Sequence, residues 1–124
     1  MTQTAENQLQ DRLKVVRKRF LNLLDDRVDE LEILRDHIDQ QERRQEVLQK
    51  TQFIAHKISG TAGTLGFVEI GKLAAQTEET IIQFLSGKKI HPTFESTKQV
   101  IDCFIENTAE ISSREYWQSF YTKH

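Results

Sequence analysis

The stretch VLQKTQFIAHKISGTAGTLG, Val47 to Gly66, decides how the chain is read. Val47, Thr51, Ile54, Ile58, Ala62 and Leu65 recur at spacings of three and four, the mark of a helical face turned toward a core. A second face of the same helix is unusual. Gln52, His56, Ser59, Gly60 and Gly63 share it, because residues three, four and seven apart are neighbours on a helix. His56 is the only large reactive side chain among them. A glycine inside a helix costs about 1 kcal/mol relative to alanine, so Gly60 and Gly63, with Gly66 close behind, weaken the helix. Either the missing side chains let a bulky group approach the imidazole, or they admit a crossing helix. The residues alone leave both open, and a lone histidine on a helix is more often structural than functional. A nucleotide-binding phosphate loop is excluded, since no Lys-Ser or Lys-Thr follows the glycines and no strand pattern precedes them.

Upstream, Leu9, Leu13, Val16, Phe20, Leu24, Val28, Leu31, Leu34 and Ile38 form one long amphipathic stripe. Arg17, Arg19, Asp26, Asp29, Glu30 and Arg35 lie off it, mixed in sign, as a solvated face does. The helix must break near Asp39 to fold back, and Asp39 with Glu42 has the spacing of a capping box. Downstream, a third helical pattern uses Ile70, Leu73, Thr77, Ile81 and Leu85. Gly87 is placed to stop it in a left-handed conformation, with Lys88 and Lys89 at its negative end. After Pro92 a fourth pattern uses Phe94, Thr97, Ile101, Phe104, Thr108 and Ile111, with Pro92 or Thr93 suited to its start. Short joints between four helices predict an all-α, up-down-up-down four-helix bundle, with extra terminal helical segments. The tail, 112–124, brings Tyr116, Trp117, Phe120 and Tyr121 to one side if it is helical, capped by Ser112 or Ser113, and is expected to dock on the bundle.

Composition agrees. At 124 residues the chain is expected to be one domain, with its core at about 9–111. Five glycines and one proline are too few turn formers for a many-stranded β fold. Seventeen basic against 19 acidic residues give a net charge of −2, which predicts no general attraction to nucleic acid or membrane. A single cysteine, Cys103, fits a reducing compartment, and the polar N-terminus lacks the apolar run of an export signal. The expected location is the cytoplasm.

The segment AHKISGTAGTLGF, Ala55 to Phe67, resembles the signature of histidine-containing phosphotransfer (HPt) domains, the four-helix phosphocarriers of multistep two-component relays. The similarity rests on an Ala-His pair, an apolar residue two positions after the histidine, glycine four after it, small residues beyond, and Leu-Gly closing the helix. It is closest from Phe53 to Leu85, weaker from Phe20 to Ile38, and does not cover the tail. The resemblance implies that His56 accepts a phosphoryl group from a receiver-domain aspartate and passes it to another receiver. It implies a phosphocarrier and not an enzyme, with no nucleotide, no metal and no cofactor of its own; Mg²⁺ would belong to the partner receiver. Neutral imidazole is a competent nucleophile, and phosphoryl transfer asks mainly for positioning and charge neutralisation.

Members of that family often carry Gln or Glu 22 residues after the histidine, which here is Glu78, and the resemblance gives it the role of orienting the imidazole. Without the resemblance Glu78 reads as a solvated carboxylate beside Glu79. Many members have lysine three residues after the histidine where this chain has Ser59; Lys57 lies about 100° away around the helix. The binding face is then Gln52, Lys57, Ser59, Gly60 and Gly63. The expected partners are response-regulator receiver domains and a hybrid histidine kinase, with neither nucleic acid nor membrane, and the chain is expected to be a monomer. A competing class is a helical adaptor that binds a receiver or kinase without being phosphorylated. Another is the phosphoacceptor segment of a histidine kinase, which needs an ATP-binding domain that these residues do not contain.

Overall fold

A computed structural model describes the backbone of residues 2–88 and 90–121 and the side chains of 4–88 and 90–114. Four helices follow one another: α1 (Thr2–Asp36), α2 (Arg44–Ala62), α3 (Val68–Ser86) and α4 (Phe94–Tyr121). They pack in sequence order and close the ring through α1 and α4, which makes the up-down-up-down bundle. α2 packs most heavily on α3, and α1 touches α2 least.

The apolar stripes meet in one core. Leu24, Leu31, Leu48, Ile70, Ile81, Ile101, Phe104 and Ile105 are fully buried. Threonines take four core positions too, three with their hydroxyls satisfied locally, while the buried Thr108 hydroxyl has no partner among the described residues. Thr51, Thr77 and Thr97 each donate, at 2.8 Å, to the carbonyl four residues back.

Two helix ends follow local chemistry, while α2 and α3 both begin without a side-chain cap. Gly87 has φ +64° and its N–H donates to the Phe84 carbonyl, the left-handed stop. The Thr93 hydroxyl accepts from the Ser96 N–H at 3.1 Å, capping α4. The Asp39–Glu42 capping box does not form. α2 begins five residues after Asp39 behind Arg43, without a side-chain cap. Asp39 instead accepts from Lys98 of α4 at 2.6 Å, a bond that holds the Lys98 ammonium pKa above its ordinary value.

Both termini differ from the sequence reading. α1 starts at Thr2, and its stripe is buried only from Phe20 onward; Leu9, Leu13 and Val16 are exposed, because α2 and α3 end at the level of Phe20, where its ring meets Phe67 at 5.3 Å. At the other end α4 does not stop near Ile111. Ser112 caps no separate helix; it is buried mid-helix and donates to Asp25 of α1 at 3.1 Å. The expected terminal segments are thus extensions of α1 and α4. Docking of Tyr116, Trp117, Phe120 and Tyr121 lies outside the described side chains, as does Lys89.

Candidate functional site

Burial of Ala55 and Ile58 fixes the rotation of α2 and turns the intervening His56 outward, its side chain 67% exposed. Its Nδ1 lies 2.6 Å from Glu78 Oε2 of α3, and the Glu78 side chain is 20% exposed. A carboxylate can only accept, so this contact assigns the ring proton to Nδ1 and leaves the Nε2 lone pair at the exposed edge. The geometry is a nucleophilic nitrogen facing solvent with its partner nitrogen anchored.

The anchoring depends on how closely α2 and α3 approach. A Cβ added at Gly71 of α3 would sit 3.5 Å from the Gly63 nitrogen and 3.7 Å from the Ala62 Cβ. Gly71 and Gly63 therefore face each other across the helix pair. Glu78 is seven residues beyond Gly71 and His56 seven before Gly63, so the same antiparallel register carries the glycine contact into the His56–Glu78 pair. Gly63 itself falls just beyond α2, so it is an end residue and not a second mid-helix glycine.

Around the imidazole the two open readings of the glycines divide. Gly60 is exposed, and a Cβ placed there meets nothing within 4 Å, so no crossing helix packs on it. Gly63, though exposed, gives its backbone to the α2–α3 contact. Ser59 is half-buried and its hydroxyl donates to the His56 carbonyl at 2.9 Å. Lys57 holds its Nζ 4.6 Å from the centre of the Phe53 ring, away from Glu78. Gln52 is half-buried one turn before His56.

Sequence reasoning missed an apolar shoulder. Exposed Phe53 of α2, three residues before His56, and Ile33 of α1 line a groove of about 530 Å³ between α1 and α2 with Leu34, Ile54, Glu30 and Gln49. At the groove's edge Lys50 pairs with Glu46 at 2.9 Å, and that bond holds the Glu46 carboxyl pKa below its ordinary value. On the α3 side, Ile82 is also exposed, one turn beyond Glu78. Phe53 was visible as an apolar residue off the Val47–Leu65 stripe and three before His56; Ile33 lies off the α1 stripe in the same way.

His37 is half-buried in the turn after α1, His91 is exposed beside Pro92, and His124 lies outside the described residues. No described helix is long and apolar enough to cross a membrane. The model of a family described as Hpt domain matches residues 15–104, which span α2, α3, most of α1 and the first part of α4. Searches among curated proteins and among solved structures found no match.

Proposed function

Because the chain belongs to the Hpt domain family, whose members carry out histidine phosphotransfer in phosphorelays, we propose that His56 Nε2 is the phosphoryl acceptor. The observation that supports this reading most is the 2.6 Å His56–Glu78 contact beneath an exposed Nε2. In the step, the Nε2 lone pair attacks phosphorus of a receiver's aspartyl phosphate. The N–P bond forms, the bond from phosphorus to the aspartyl oxygen breaks, and the aspartate leaves as a carboxylate. The Nδ1 proton stays in the hydrogen bond to Glu78, whose negative charge offsets the positive charge gained by the ring. Reversal toward a second receiver completes the relay.

The remaining contributions come from the partner. With Ser59 bound to the backbone and Lys57 over Phe53, neither sets a donor or cation at Nε2, and a Mg²⁺ held by the receiver would supply the neutralisation. Phe53, Ile33 and Ile82 give the receiver an apolar footing around the histidine, and Gly60 lets it come close. A non-phosphorylated adaptor would need the footing but not the anchored imidazole. Incubating the wild-type chain and His56→Gln with a ³²P-labelled receiver is the test. Acid-labile, base-stable label on the wild type and none on a variant of equal helicity is expected; equal labelling of the variant refutes the proposal.

A further inference from the structure

The first half of α1 has a use that the histidine face does not explain. Every described residue from Thr4 to Arg19 is exposed, although this is regular helix. The 18 residues from Thr2 to Arg19 extend about 27 Å at 1.5 Å per residue. Leu13 shares a line along α1 with Phe20, Leu24 and Leu31, since offsets of 7, 11 and 18 residues return to nearly the same side. One apolar stripe thus passes from full burial into solvent, where Leu9 is 60%, Leu13 45% and Val16 43% exposed.

Charge on the same segment leans basic, five basic residues between Thr2 and Arg19 standing against two acidic ones, Glu6 and Asp11. Five of the chain's 17 basic residues, Arg12, Lys14, Arg17, Lys18 and Arg19, fall within positions 12–19, which contain no acidic residue; elsewhere 12 basic residues stand against 19 acidic. The near-neutral total conceals a basic pole, with a net charge of +3 over residues 2–19. On the helical wheel Arg12 and Arg19 flank one side of the Leu9–Leu13–Val16 stripe and Arg17 the other. Where the segment meets the bundle, Arg17 and Arg114 line a cavity of about 200 Å³ with Phe67, Ile70, Ile111 and Glu69.

Three features choose among occupants. α4 runs antiparallel to α1, with Arg35 near Asp102 and Asp25 bonded to Ser112, and the same register brings its last described residue, Tyr121, only to the level of Val16. Leu9 and Leu13 are exposed all the same. A flat bilayer does not fit the stripe, because the stripe points to the side on which α2 and α3 stand out from α1 at Phe20. A second copy would set the arginines beside the stripe against their equals, and like charges in that arrangement repel. An apolar strip between basic borders is complementary to an apolar strip between acidic borders.

We propose that residues 9–19 of α1 form a second docking surface, separate from His56, that receives an acidic amphipathic helix of another protein. The partner's apolar residues cover Leu9, Leu13 and Val16, its carboxylates face Arg12, Arg17 and Arg19, and one carboxylate side chain enters the cavity between Arg17 and Arg114. The test uses the full chain and a fluorescent 21-residue peptide with leucine at heptad positions a and d and glutamate at e and g, beside a scrambled peptide of the same composition. The heptad peptide should bind, more weakly as salt rises, and the variant R12E/R17E/R19E should weaken it about tenfold. Leu9→Ser with Leu13→Ser should weaken it comparably while leaving the circular dichroism spectrum unchanged, because both side chains are exposed. Equal binding of the scrambled peptide overturns the proposal by showing charge attraction alone. Absence of peptide binding overturns it too, whether phosphatidylserine vesicles are bound instead or light scattering shows a dimer lost in the Leu9/Leu13 variant.

Discussion

Replacing Gly60 separates folding from function at a single position. Gly60 lies inside α2, two residues from its last residue, and an added Cβ would have no atom within 4 Å. Alanine therefore gains helix propensity at no steric cost, and leucine starts from the same open position. The full glycine-to-alanine difference in an exposed helix interior is about 1 kcal/mol, and proximity to the helix end reduces it to about 0.5–1 kcal/mol. For a chain of this size that corresponds to about 2–5 °C in melting temperature. Transfer should move the opposite way. A leucine beside His56 occupies the space through which the aspartyl phosphate approaches, and displacement of a reacting centre by about 1 Å costs on the order of a hundredfold in rate. Thermal unfolding and the labelling rate from a phosphorylated receiver, measured on the same preparations, give both quantities. Gly60→Leu is expected to melt higher and label about a hundredfold more slowly, with Gly60→Ala between it and the wild type in rate. A lower melting temperature would show that Gly60 serves packing, and an unchanged rate would show that the receiver does not approach over it; either result refutes the reasoning.

Substitutions at two further positions probe the imidazole's support. Glu78→Ala removes the acceptor at Nδ1, so ¹⁵N shifts of the neutral ring should change from the Nδ1–H tautomer to a mixture and labelling should slow roughly tenfold, whereas Glu78→Gln, which keeps an acceptor oxygen, should restore much of the tautomer preference. Gly71→Ala should be near neutral or stabilising, since its Cβ contacts begin at 3.5 Å. Gly71→Leu should cost about 1–3 kcal/mol in urea unfolding and weaken the His56–Glu78 hydrogen bond, because the added atoms must push α2 from α3.

The bundle was legible because helical periodicity is a local property that burial reads out directly. Val47, Thr51, Ile54, Ile58 and Ala62 are all buried, as are Ile70, Thr77 and Ile81. Periodicity, however, reports only that one side of a helix is apolar, not whether anything covers it. That is why Leu9, Leu13 and Val16 read as core like Phe20, while the extent of α2 and α3 leaves them exposed. The Asp39–Glu42 spacing failed for a related reason: Asp39 had a competing partner in Lys98, 59 residues away, which no local pattern contains. At the site, His56 and Gly60 announced themselves through the helical wheel. Glu78 did not, since a carboxylate on α3 looks solvated until the register of α2 against α3 is known.

That register makes the role of the glycines coherent. Gly71 and Gly63 contribute no chemistry at His56, yet they mark where the two backbones come close at one end of the α2–α3 pair. One heptad along each helix, the same closeness leaves a carboxylate 2.6 Å from Nδ1, short for a hydrogen bond and therefore restrictive about where the ring can stand. An imidazole 67% exposed would otherwise sample several rotamers, and each departure would carry Nε2 off the line of attack. Small residues thus serve His56 in two opposite ways. Gly60 leaves space in front of the ring for the partner, while the close α2–α3 approach at Gly71 goes with a carboxylate set against Nδ1 behind it, so that the exposed imidazole is held in one orientation.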